Sequence, residues 1–326
     1  MSASWRPTAS LELLRQRASL LNCIRAFFAQ RQVLEVETPL LSQATVTDLH
    51  LDSMVVELHD SKRRFLQTSP EFAMKRLLAA GSGPIYQICK AFRRDEAGQR
   101  HNPEFTMLEW YRPGFDDRQL MAEVEALVCT CAEQHGDGLS DWAVSGFERI
   151  SYRDLFQSRL DIDPFAASDQ QLIDLARQQT ASDHLALSRD DALNLLMAVV
   201  IEPTLQAPVF VIDFPASQAS LAATELTDDG HRVARRFELF IRGMEIANGY
   251  LELTDAQEQA RRFAADNQRR EQSGLPVQPV DEFLLAALAS GLPDCAGVAL
   301  GFDRLLMLTS DRQRIAEVIS FDDNNA

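Results

Sequence analysis

The stretch FRRDEAGQRHNPEFTMLEWYRP, Phe92 to Pro113, decides how the rest of the chain is read. Its second half alternates, so period two puts Phe105, Met107, Glu109 and Tyr111 on one face of a strand. Just upstream, PIYQICKAF (84–92) reads as another strand. Together they predict an antiparallel hairpin with an unusually long connection. That connection crowds Arg93, Arg94, Asp95, Glu96, Arg100 and His101 into a few residues. Guanidinium forks match phosphate oxygens, so the loop suits a polyphosphate, although charged loops are often simply solvated. A carboxylate and a phenol on one strand face are costly to bury without partners. The same pattern also fits a strand at a sheet rim with both groups in water.

Other segments extend this plan. Ser10 caps a helix from about Leu11 to Arg31, with Leu14, Leu21, Ile24 and Phe28 as its apolar face. VLEVETPLL follows and Pro39 breaks its regularity. Residues 51–68 alternate as strands. TSPEFAMKRLLAAG predicts a helix with Ser69 as cap, Pro70 in first position, Met74, Leu77 and Leu78 inward and Gly81 as terminator. Residues 116–135 read as helix, with further helical pieces near 168–179 and 188–200, and PVFVIDFP (208–215) reads as a buried strand. Thr254 and Gln257 form a capping-box pattern for a helix running to about Gln272. Strands and helices mix without βαβ alternation, which favours α+β with an antiparallel sheet flanked by helices, in one domain over 1–326.

Bulk properties narrow the class. The chain has 326 residues and a net charge of −16, with no basic stripe, which argues against nucleic-acid binding. No apolar run nears the roughly 20 residues that span a membrane, and MSASWRPTAS has no signal core. Five cysteines without framework spacing read as buried thiols in a reducing cytoplasm.

Two more constellations could carry chemistry. In RFELFIRGMEIANGYLEL (Arg236–Leu253), unbroken alternation puts Glu238, Phe240, Arg242, Met244, Ile246, Asn248, Tyr250 and Glu252 on one face. Glu245 falls on the other face, and a bulge at ANG (247–249) would return it to the first. Clustered carboxylates call for a cation: a metal, an ammonium or an arginine. Magnesium prefers such oxygens. In GVALGFDRLLML, Gly297 and Gly301 permit close approach of backbone to a flat ligand, and Arg304 could lie over an aromatic base. For Glu71, in a first helical turn, the helix dipole alone is a sufficient reason.

Taken together and in order, VLEVETP, TSPE, FR…HNPEFTMLEWY, MEIANGYLEL and GVALGFDR resemble the catalytic domain of the class II aminoacyl-tRNA synthetases, the lysyl type in particular. The resemblance runs from about residue 11 to 320. It implies that Arg93 and Arg304 are catalytic and grip ATP, with Arg94, Asp95, Asn102, Phe105, Glu245, Ile246 and Gly301 around the nucleotide. It implies magnesium at Glu238 and Glu245, and an amino-acid pocket of Ser69, Pro70, Glu71, Glu109, Tyr111, Asn248, Tyr250, Glu252 and Ala299. The chain departs from the lysyl pattern: it begins at the catalytic domain with no anticodon-binding barrel, and Ala299, Gln32, Arg94 and Asp95 replace usual residues. FPASQASLA and HNPEFTMLEWYRP are similar to a truncated branch of the family that modifies elongation factor P. That branch implies ATP-dependent activation of (R)-β-lysine or lysine, transfer to a lysine of elongation factor P, and a homodimer. The alternatives are a truncated enzyme that charges tRNA and a non-catalytic regulatory relative.

Overall fold

The computed structural model describes residues 5–94, 97–135, 146–180 and 187–326. Its strands are β1 (Leu34–Glu35), β2 (Leu41–Ser42), β3 (Val55–Glu57), β4 (Arg63–Leu66), β5 (Ile85–Phe92) and β6 (Glu104–Pro113). They continue with β7 (Glu148–Ser151), β8 (Val209–Pro215), β9 (Thr224–Leu226), β10 (Arg232–Phe240), β11 (Glu245–Leu251) and β12 (Cys295–Gly301). The helices are α1 (Leu11–Gln30), α2 (Glu71–Ala79), α3 (Asp117–His135), α4 (Tyr152–Leu160) and α5 (Asp169–Thr180). After them come α6 (Arg189–Leu196), α7 (Ala256–Gln272), α8 (Glu282–Gly291) and α9 (Phe302–Thr309).

The expected antiparallel sheet is present. Nine strands form it, in the order β1-β5-β6-β12-β11-β10-β8-β7, with β9 added beside β10. Only the pairs at its two ends, β1 with β5 and β7 with β8, are parallel. β2, β4 and β3 make a separate small sheet, and a 3₁₀ turn separates the two strands, β3 and β4, of the 51–68 region read as strands.

The sheet sorts its side chains by period two. Leu108 and Trp110 of β6, Val298 and Leu300 of β12, and Phe237 and Leu239 of β10 form an apolar layer with α1, α3 and α9. Phe28 of α1 stacks on Tyr86 with ring centroids 4.4 Å apart and meets Trp110 edge-on at 5.3 Å. Five of the α1 side chains it buries are Leu13, Leu20, Ile24, Phe27 and Phe28. At about 1.5–3 kcal/mol each, they dock the helix with energy on the order of 10 kcal/mol. A second layer joins α4, α5 and α6 to β8, and a third joins α2 and α8 to the β5–β6 end.

Helix ends follow capping chemistry. Ser10 Oγ accepts from Leu13 N as predicted. For α7 the cap is Asp255, not Thr254: its carboxylate accepts from Gln257 N and Glu258 N, a charged acceptor at the positive helix end. Pro70 occupies the cap position of α2, one residue after the expected Ser69, although Ser69 Oγ still accepts from Glu71 N as a cap does. α2 buries Met74 and Leu78 and packs Leu77 against the same layer as predicted, and it also buries Lys75, which was not predicted. α6 stops at Leu196 and continues as a π turn, Met197–Ile201, short of the predicted residue 200 for regular helix. Gln32 adopts φ 55°, a left-handed conformation that glycine reaches without strain.

The 236–253 stretch is a strand pair. A turn at Ile241–Met244, with Arg242 and Gly243 at positive φ, ends the alternation. Met244 therefore enters the apolar layer against α1 and α3 and leaves the face predicted for it, while Phe240 stays on the face of Glu238 as predicted. Arg242 pairs with Asp311 at 2.9 Å. The bulge is not at Ala247–Gly249. Leu239 pairs with Ala247 and Phe240 with Glu245, which leaves Ile246 as the extra residue.

Candidate active site

The face of the sheet opposite α1 and α3 carries alternating polar groups that have nowhere to go but inward. Met107, Glu109 and Tyr111 of β6, Gly297, Ala299 and Gly301 of β12, Asn248 and Tyr250 of β11, and Glu238 of β10 line one cavity of ≈ 700 Å³. Ser69, Glu71, Arg93, Asn102, Phe105, Glu245, Ile246, Glu252 and Arg304 complete the set that the structure brings together. Two expected residues do not line it. Pro70 starts α2, and the Arg94 backbone N–H donates to Asp52 O. Asp95 and its neighbour Glu96 lie outside the described residues.

One end of the cavity is a closed ionic cluster. Ser69 Oγ donates to Glu109 Oε2 and Tyr111 OH to Glu109 Oε1, both at 2.7 Å. Burial first, and then Glu71, push the Glu109 carboxyl from 4.5 up to about 8. Lys75 Nζ lies 2.7 Å from Glu71 Oε1 and 2.5 Å from Glu252 Oε2. Burial alone pulls this ammonium down, yet Glu252 and Glu71 together hold it well above its ordinary value. Gly297 permits the arrangement. A Cβ there would sit 2.3 Å from the Tyr111 ring and 2.4 Å from Glu252 Oε1. Burial also raises the Tyr111 and Tyr250 phenols, so both stay neutral donors.

The other end is richer in guanidinium groups and more open. The Arg93 guanidinium lies 5.1 Å from the Phe105 ring centroid. Arg304 Nη1 donates to Glu245 O at 2.7 Å, and Arg304 Nη2 lies 2.7 Å from His101 Nε2. Arg304 is set by its neighbour: Asp303 accepts from Thr106 N at 2.6 Å and from Arg17 Nη1 at 2.5 Å, tying α9 to β6 and α1. Asn102 Nδ2 donates to Glu104 O, which turns the loop into β6.

Between the two ends, Glu238 accepts from Arg236 Nη2 and, at 3.1 Å, from Asn248 Nδ2. A bulge where β10 passes β8, between Ala234 and Phe237, brings Arg236 inward over Phe214. Burial, opposed by Arg236 and reinforced by Glu245, raises Glu238 to about 7; burial and Glu245 raise Glu202 to about 7 as well. Glu202, Glu238 and Glu245 repel one another here, and among the described residues no group of three or more His, Cys, Asp or Glu side chains is placed to hold a metal ion.

Lys75, Arg236 and Glu202 escape the sequence reading. Glu71 and Lys75 look like an exposed i,i+4 pair. The available signal was that both share a helix face with Leu78. Arg236 was hidden by a bulge that no residue type announces.

A closed anionic end, a cationic end and a cluster of carboxylates between them share one cavity. Residues 3–325 match the family of class II tRNA synthetases (D, K and N). The chain belongs to that family. Relatives within this class II group are named Elongation factor P--(R)-beta-lysine ligase. The protein of that name from Pseudoalteromonas translucida (strain TAC 125) is 52% identical over 98% of this chain and 97% of its own length. That from Edwardsiella ictaluri (strain 93-146) is 49% identical over 99% of both chains. That from Salmonella arizonae is 47% identical over 98% of both. None of the five cysteines of this class II chain forms a disulfide, and among the described residues no helix is long and apolar enough to cross a membrane.

Proposed function

We propose that the protein activates (R)-β-lysine with ATP and ligates it to a lysine side chain of elongation factor P. One observation carries this reading: Glu71, Glu109 and Glu252 gather at the closed end of a cavity whose other end holds Arg93 and Arg304. The names of its relatives point the same way.

The substrate's two ammonium groups pair with the carboxylates, while Tyr250 and Tyr111 enclose its methylene chain. Its carboxylate then faces the arginine end and attacks the α-phosphorus of ATP. Pyrophosphate departs and an aminoacyl-adenylate remains. Arg93 and Arg304 offset the charge that develops on the phosphoryl oxygens. Glu238 and Glu245 would hold magnesium, which when bound supplies positive charge beside the phosphates. The neutral ε-amine of the acceptor attacks the carbonyl, AMP leaves, and the nitrogen gives up a proton. Holding the reactants in line supplies much of the acceleration. A reducing compartment such as the cytoplasm suits five cysteines that form no disulfide.

We further propose a homodimer through α1 and the segment 34–41 that follows it, where Leu34 at the edge of the large sheet and Leu40 and Leu41 at the small one are exposed at 56%, 38% and 41%. Light scattering at 36.5 kDa, one chain, would refute it.

The test of function is competitive transfer. Enzyme, ATP, magnesium and labelled (R)-β-lysine are offered elongation factor P and total tRNA together. Label on elongation factor P supports the ligase. Label on tRNA identifies a truncated synthetase, and label on neither a regulatory relative.

A further inference from the structure

Lys75 is a fully buried ammonium that does not line the cavity. It stands behind the amino-acid site and touches two of its carboxylates, one from its own helix and one from the end of β11. On each, it takes a single oxygen: Oε1 of Glu71 and Oε2 of Glu252. Glu252 Oε1 is left over Gly297 on the cavity floor, where even a methyl group would meet it. The other groups near this cluster are Glu109 and Tyr111 of β6, Tyr250 of β11 and Cys295 of β12. α8 brings only apolar side chains, Leu284 and Leu288, to the layer in which Met74 and Leu78 of α2 sit.

We propose that Lys75 is a positioning residue for the amino-acid substrate: a resident ammonium that grips one oxygen each of Glu71 and Glu252 and holds the two carboxylates in place for the incoming amines. The idea rests on the diamino-acid reading above. Its logic is electrostatic. Buried carboxylates with no cation take up protons when the site is empty. A diammonium substrate would then have to displace those protons to bind. With Lys75 in place, its charge opposes the rise that burial imposes on Glu252, which still stands at about 7, below Glu109 at about 8. The cost of burying two carboxylates is met inside the protein. A neutral side chain at position 75 would pass that cost to the binding step.

The experiment is calorimetric titration of (R)-β-lysine into the full chain without ATP, from pH 6 to 8.5, in buffers of different ionisation heat. Wild type is expected to release between one and two protons per ligand near pH 7, from Glu109 and part of the Glu252 population. Lys75→Met is expected to bind at least tenfold more weakly at pH 7, to release more protons than wild type, and to recover affinity as pH rises. Lys75→Arg, which keeps the charge, is expected to keep the wild-type proton count whatever its affinity. A Lys75→Met protein with wild-type proton release and pH dependence would overturn the inference alone. If that variant does not fold, Lys75→Arg decides: proton release at pH 7 clearly above that of wild type would overturn the inference. Wild type that binds no diamino acid at any pH would sink the proposed function and this inference together.

Discussion

The two ends of the cavity manage charge in opposite ways. At the amino-acid end the protein supplies its own counter-ion, so the empty site is a closed network in which Lys75 and Glu252 are almost completely buried. At the nucleotide end, the Arg304 side chain keeps 20% of its surface exposed and rests on a backbone carbonyl and an imidazole. A small ligand that must be told from similar amino acids meets a rigid, internally balanced pocket. On the proposed function, a large polyanion would meet guanidinium groups whose charge it completes itself. Specificity would then reside in the closed end and transition-state stabilisation in the open end.

Substitutions can separate those roles. Arg93→Ala is expected to have the largest effect, a fall of about 10²–10³-fold in kcat for ATP–pyrophosphate exchange. The KM for the amino acid should stay near wild type, and retained exchange would remove Arg93 from the mechanism. Gly297→Ala drives a methyl group into Tyr111 and Glu252. It should abolish (R)-β-lysine binding by calorimetry and leave ATP binding intact. Gly301→Ala is the contrast: its Cβ would stand 3.5 Å from the Arg304 side chain, an ordinary contact, so the melting temperature should not change.

Glu109→Gln tests the closed end by pH. In the folded protein the carboxyl is raised from 4.5 to about 8, so its contribution to stability is full below the lower value and lost as pH climbs to the upper one. The glutamine variant should remove that loss and melt about 2 °C or more higher than wild type at pH 8.5. It should also bind (R)-β-lysine more weakly, because one carboxylate is gone. The smallest effect is far from the site. Gln32→Gly relieves a left-handed residue at φ 55° and should stabilise by about 0.5–1 kcal/mol in denaturant unfolding, with no kinetic change.

These contrasts also mark what the sequence made legible. Period two along EFTMLEWY put Glu109 and Tyr111 on one face but left open whether that face met water; the flanking of β6 on both sides by a regular ladder is what buries them. The same rule failed in RFELFIRGMEIANGYLEL, where a four-residue turn and an extra residue at Ile246 reset the phase. Nothing local marks that slip, since it is set by pairing with β10. Lys75 was illegible for a different reason. Helical spacing reveals that Glu71 and Lys75 share a face, but only the approach of Glu252 from β11 turns an exposed-looking pair into a buried cluster. Asp255 replaced Thr254 as a cap through a one-residue shift of the helix start, within the usual reach of capping signals.

The most direct test of a site built for a diamine at one end and ATP at the other is amino-acid-dependent ATP–pyrophosphate exchange. (R)-β-lysine, L-lysine and norleucine would be compared at equal concentration near pH 8. Exchange driven by the diamino acids, strongest with (R)-β-lysine and absent with norleucine, is the predicted result. Equal exchange with norleucine, or none with any diamino acid, would contradict it.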